Sequence, residues 1–145
     1  MTARTVLRRR LVAKTTSCPA GRAAYDAGTR SVLLTYRKRD PFAVQLEVPS
    51  GATFVVWLLS RDLLADGLNG PAGLGDVAVN PDVFDPDTYV WVCLFDPAGS
   101  GSVQLGFHRA DLERALDEMD AIVPAGTEPD LIDWDREWRL LAGDR

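Results

Sequence analysis

Up to residue 107 most apolar positions recur with the spacing of strands. Phe42, Val44, Leu46 and Val48 alternate with Ala43, Gln45 and Glu47, the period of a half-buried strand. Pro41 before it and Pro49-Ser50-Gly51 after it mark its ends. Residues 5–13, rich in arginine, and 31–37 are also of strand length. Residues 53–59 are apolar on both faces, which predicts a central strand. Residues 61–68 read as a short helix, with Asp62 suited to its first turn and Gly67 to its end. After a glycine-rich loop from Asn69 to Gly75, strands are expected at 76–79, 88–95 and 102–107, the last two joined as a hairpin. Beyond them the period changes. Leu112, Ala115, Leu116 and Met119 mark an amphipathic helix that Val123-Pro124-Ala125-Gly126 breaks. Asp133 opens a second one, with Trp134, Trp138 and Leu141 on one stripe and Gly143 beyond its end. The expected fold is α+β: mainly antiparallel sheets of about seven strands, a short mid-chain helix and two C-terminal helices, in one domain over residues 1–145.

Charge divides the chain. Residues 1–39 hold ten Lys/Arg and one acid, Asp26, for +9; residues 40–145 hold six Lys/Arg and twenty acids, for −14. A basic segment on an acidic body fits a nucleic acid or an acidic protein partner, and it also fits two halves that pack together and offset each other. The longest apolar run, 54–59, is too short to cross a bilayer, and no apolar segment follows the N-terminal arginines as a secretion signal requires. The expected location is cytoplasmic, with Cys18 and Cys93 reduced rather than paired.

Candidate chemistry is sparse. His108 is the only histidine and falls where a strand gives way to a helix, a boundary position rather than that of a general base. One histidine and two cysteines spread along the chain do not make a zinc site. Asp82, Asp85 and Asp87 share a proline-bounded loop without the spacing of a calcium loop, so a solvated acidic loop is expected. The glycine-rich loop has no lysine and follows a helix, the reverse of a phosphate cradle. No catalytic, cofactor or metal residue is assigned. Arg109 with Glu113 and Arg114 with Glu118 are spaced to pair along a helix. Arg8, Arg9, Arg10, Arg37, Lys38 and Arg39, with Tyr36 to stack on a base, sustain the alternative of a single-stranded nucleic-acid binder, against an isoelectric point near 4.8.

One stretch changes this picture. Val56-Trp57-Leu58-Leu59-Ser60-Arg61-Asp62-Leu63-Leu64-Ala65-Asp66-Gly67-Leu68, followed by Pro71, Gly73, Gly75-Asp76-Val77 and Pro81, resembles the signature of the SsgA-like sporulation and cell-division proteins of actinomycetes, the SsgB type in particular. Asp40-Pro41-Phe42-Ala43-Val44, the run from Asp120 to Glu128 and Asp133-Trp134-Asp135-Arg136-Glu137 resemble further family motifs in the same order. The resemblance implies a Whirly-like fold, a homotrimer and a non-enzymatic adaptor without cofactors. It also implies division proteins such as FtsZ and an SsgA-like sister protein as partners, and action at the division septum. The front third departs from the family: 17–30 is longer, and Arg37-Lys38-Arg39 stands where the approach to Asp40 is more acidic. Arg37, Lys38, Arg39, Arg61, Asp62 and Asp76 form the candidate partner-binding set. The signature also has structural roles to fill, with Trp57 expected in the core, Arg61 and Asp62 in local pairing or capping, and Gly67, Gly73 and Gly75 at turns.

Overall fold

The computed structural model describes residues 3–131 and 133–142; Gly143, expected just past the last helix, lies outside them. Two four-stranded antiparallel meanders, each closed by a helix, follow one another. The first comprises β1 (Val6–Pro19), β2 (Tyr25–Arg37), β3 (Asp40–Ser50), β4 (Thr53–Ser60) and α1 (Arg61–Gly67). The second comprises β5 (Ala72–Leu74), β6 (Val77–Pro81), β7 (Tyr89–Phe95), β8 (Gly101–His108) and α2 (Arg109–Ile122). A 3-10 turn at Glu128–Leu131 and helix α3 (Trp134–Leu141) follow. Among the described residues eight strands form one sheet in the order β4-β3-β2-β1-β8-β7-β6-β5, so the α+β reading holds with one strand more than expected. The added strand, β5, lies in the glycine-rich loop and pairs with β6 across the turn at Gly75-Asp76, where Gly75 has φ 60°.

Strand alternation sorts the chain into an inner and an outer sheet face. Leu7, Leu11 and Ala13 of β1 lie beside Tyr36, Val32 and Arg30 of β2, and opposite Val44, Leu46 and Val48 of β3 come Leu59, Trp57 and Val55 of β4. These side chains and their counterparts Val90, Val92, Leu105 and Phe107 point inward. Helix α2 covers the inner face at β1 and β8 with Leu112, Ala115 and Met119. Helix α1 packs on β3 and β4 at one end of the sheet and on β5 and β6 at the other, so the sheet curls until both ends meet it.

Two expectations are corrected here. The segment 53–59, expected as a central strand, is the edge strand β4, and its outward side chains Phe54, Val56 and Leu58 are 56%, 48% and 61% exposed. Apolarity on both faces did not mark burial within the sheet. Arg114 does not pair with Glu118: Glu118 binds Arg9 of β1 through both carboxylate oxygens, and Arg4 lies 3.6 Å away. The basic front segment thus offsets part of the acidic body. Arg109 does bind Glu113, at 2.8 Å.

Candidate partner-binding surface

Arg61 opens α1, where Ser60 caps the helix by accepting a bond from the Leu63 amide. Arg61 is 4% exposed. It donates to the Tyr36 hydroxyl at 2.9 Å and the Val123 carbonyl at 2.7 Å, and it faces Glu128 and Asp120, each at 3.5 Å. Tyr36 in turn donates to the Pro41 carbonyl. Asp120 and Glu128 accept bonds from the Ala125 and Gly126 amides. The first and third motifs of the sequence are therefore bound to each other through Arg61. Burial pushes the Tyr36 phenol above its ordinary pKa of 10.0, with Arg61 opposing the shift, so it remains a donor at neutral pH.

The candidate contact residues separate into two groups. Arg61 is inside, holding β2, α1 and the segment after α2 together. Asp62 and Asp76 are exposed, the one in the first turn of α1 and the other at the β5–β6 turn. Arg37 ends β2, and Lys38 and Arg39 form the turn into β3 beside Leu131, across a cleft of about 600 Å³. Arg37 bonds Gln45, and none of these three cations has an ion-pair partner among the described residues.

Sequence reasoning missed how the outer face is assembled. Strand pairing sets Arg8 beside Thr35 and Arg10 beside Leu33, so both arginines leave the outer face on the same side as Arg37. The outward apolar residues of β4 lie on the same face, beyond β3 from Arg37 and beyond β2 and β3 from Arg8 and Arg10. The signal was present in the sequence: arginine at alternate positions, 8 and 10, in a segment of strand length. Arg9 points inward to Glu118, and Tyr36 is 0% exposed. Tyr36, the residue expected to stack on a base, is therefore closed to one.

The remaining candidates have local work. His108 is the residue before α2; its side chain makes no cap bond, and its ring lies 5.0 Å from that of Tyr89. Asp82 accepts bonds from the Trp91 indole at 2.7 Å and from the Phe84 and Asp85 amides, and the Trp91 bond above all holds its carboxyl below the usual range. Cys18 and Cys93 are unpaired, and burial pushes the Cys93 thiol up. The stripe Trp134, Trp138 and Leu141 exists on α3 and is exposed. Among the described residues no three His, Cys, Asp or Glu side chains cluster as metal ligands, and no helix is long and apolar enough to cross a membrane.

The described residues form an antiparallel α+β fold whose outer face carries both arginines and exposed apolar side chains. Residues 31–128 match the family described as Streptomyces sporulation and cell division protein, SsgA, and the chain belongs to that family. A sporulation-specific cell division protein of Frankia casuarinae is 36% identical over 108 residues, 74% of this chain and 73% of that protein. SsgB of Streptomyces coelicolor is 39% identical over 105 residues, 72% of this chain and 75% of that protein. The crystal structure of an SsgA-like sporulation-specific cell division protein from Thermobifida fusca has a TM-score of 0.73 at 26% identity, covering 97% of this chain and 98% of that one.

Proposed function

We propose that this chain is a non-enzymatic adaptor of sporulation-specific cell division that helps bring the division machinery, FtsZ included, to septa. It acts in the cytoplasm as a single domain over residues 1–145 and as a homotrimer, with an SsgA-like sister protein as a second partner. The observation that carries the reading is the outer face of the first meander, which Arg8, Arg10 and Arg37 share with exposed Phe54, Val56 and Leu58 at its β4 edge. Relatives named as sporulation-specific cell division proteins support the process. The doubled order of four strands and a helix supports the Whirly-like reading of the fold. Partner contact falls to Arg37, Lys38 and Arg39, with Asp62 and Asp76 at the exposed turns, while Arg61 acts by holding the segments that shape the surface.

Cations of this kind mainly speed association and make it sensitive to salt. Changing Arg37, Lys38 and Arg39 together to Gln is expected to slow FtsZ binding by about tenfold at low salt and to flatten its salt dependence. Surface binding at two salt concentrations reads both, with a single-stranded oligonucleotide as the comparison ligand. Unchanged FtsZ binding, or tight oligonucleotide binding lost in the variant, would assign the basic turn to another partner.

The trimer has its own support. Strand β4 is an edge of the sheet with no strand on its outer side among the described residues, and such a backbone edge needs cover. Light scattering is expected to give three chain masses at micromolar concentration. A clean monomer at high micromolar concentration would contradict the assembly and leave the adaptor reading to the binding assay.

A further inference from the structure

We propose that a cavity on the inner sheet face binds a small amphipathic carboxylate, a molecule with a short apolar body and one anionic head. The cavity has a volume of about 250 Å³, and its lining comes from strands alone, with no helix residue. Trp57, Leu94 and Val103 supply apolar wall from β4, β7 and β8, strands that the curl of the sheet brings face to face. Pockets for small ligands are typically of this composition, apolar with a few converging polar groups.

Two polar groups in the wall are unspent. Thr15 is 4% exposed, and its hydroxyl is the one buried side-chain polar atom without a hydrogen-bond partner among the described residues. A buried hydroxyl left unpaired is costly and calls for an explanation. Arg30 lines the same cavity and donates to the Pro49 carbonyl, and among the described residues no carboxylate comes within ion-pairing distance of it. The register brings the two together. Arg30 pairs with Ala13, two positions before Thr15, so both side chains leave the inner face of adjacent strands. Past this pair the register shifts, and Thr15 stands opposite both Ala27 and Gly28, a bulge of the kind that re-aims side chains at sites. A guanidinium without a counter-charge at one side of an apolar cavity, with an unpaired hydroxyl buried behind the same wall, suits a carboxylate whose hydrocarbon part lies against Trp57.

Octanoate and octan-1-ol, which share the chain and differ in the head, test this by NMR on the full chain. Octanoate at low-millimolar concentration is expected to move the resonances of Thr15, Arg30, Trp57 and Val103 as one set and to bind more tightly than the alcohol. Arg30→Gln is expected to weaken octanoate about tenfold and leave octan-1-ol unchanged. Thr15→Val, which keeps the side-chain shape, should weaken octanoate about threefold, and it carries the test if the arginine variant does not fold. The proposal is overturned if octanoate moves none of these resonances, if alcohol and carboxylate bind equally well, or if neither variant alters the carboxylate.

Discussion

Arg61→Met is expected to lower the free energy of unfolding by about 3–5 kcal/mol, the usual cost of removing one partner from a buried ion pair. The methionine fills much of the same space, so the loss comes from what it leaves behind. Glu128 is 5% exposed and would lose the guanidinium facing it, keeping only the bond from the Gly126 amide. The Val123 carbonyl would lose its 2.7 Å donor, and the Tyr36 hydroxyl would keep its bond to Pro41 without the one it accepts. Asp120 matters less, because its side chain is 57% exposed and water can replace Arg61 there. Urea unfolding with an unchanged slope and a lower midpoint is the expected record. The double change Arg61→Met with Glu128→Gln should recover part of the loss, since the stranded charge goes with it. A single variant as stable as the parent would show that Arg61 does not bind the motifs together.

Gly67→Ala is expected to cost about 1–3 kcal/mol or more, as overpacking does, although alanine is the better helix former. Gly67 is buried in the last turn of α1. A Cβ on it would lie 2.2 Å from Cγ1 and 2.4 Å from Cβ of Val79, which is fully buried in β6. Helix propensity favours alanine by only about 0.5–1 kcal/mol, so the collision decides the sign. Relief requires α1 to back away from β6, and α1 also rests on β3, β4 and β5. In a double-mutant cycle, Val79→Ala should soften the effect of Gly67→Ala, with a coupling of about 0.5–3 kcal/mol. Simple additivity of the two changes would contradict close packing at this point.

These two positions show how far the sequence could be read. The strand at Asp40–Ser50, the helix break at Val123 and the α+β class were legible because alternation, proline and glycine are local signals. The segment 53–59 was misjudged because periodicity reports which faces are apolar and not what covers them. Strand β5 was hidden by its three-residue length and its glycine. Gly67 was expected to serve a turn, and it serves a close approach between two elements instead. Arg61 was expected to pair or cap locally, because its partners Tyr36, Val123 and Glu128 are far away in the chain and only the fold assembles them. The outer face follows the same rule. Each arginine was visible, but their alignment with Phe54, Val56 and Leu58 depends on a register that no single strand contains.

The division of β1 between two neighbours bears on how the chain is made. It pairs with β2 from Val6 to Ser17, while Ala13–Pro19 also pairs on the other side with β8, from Phe107 back to Gly101. During synthesis the front meander can form as soon as it leaves the ribosome, yet the back half of β1 must wait for one of the last strands to emerge. Until then the nascent chain presents an unpaired backbone row along Ala13–Pro19. Closing so long a loop is slow compared with hairpin formation. The exposed row is open meanwhile to any other strand in the cell. Lys14, whose ammonium sits 4.2 Å from the Tyr89 ring in the finished fold, keeps a positive charge on that row throughout the wait. Strand β1 is thus completed only when β8 has formed, and the charge of Lys14 guards its open row against the wrong neighbour until then.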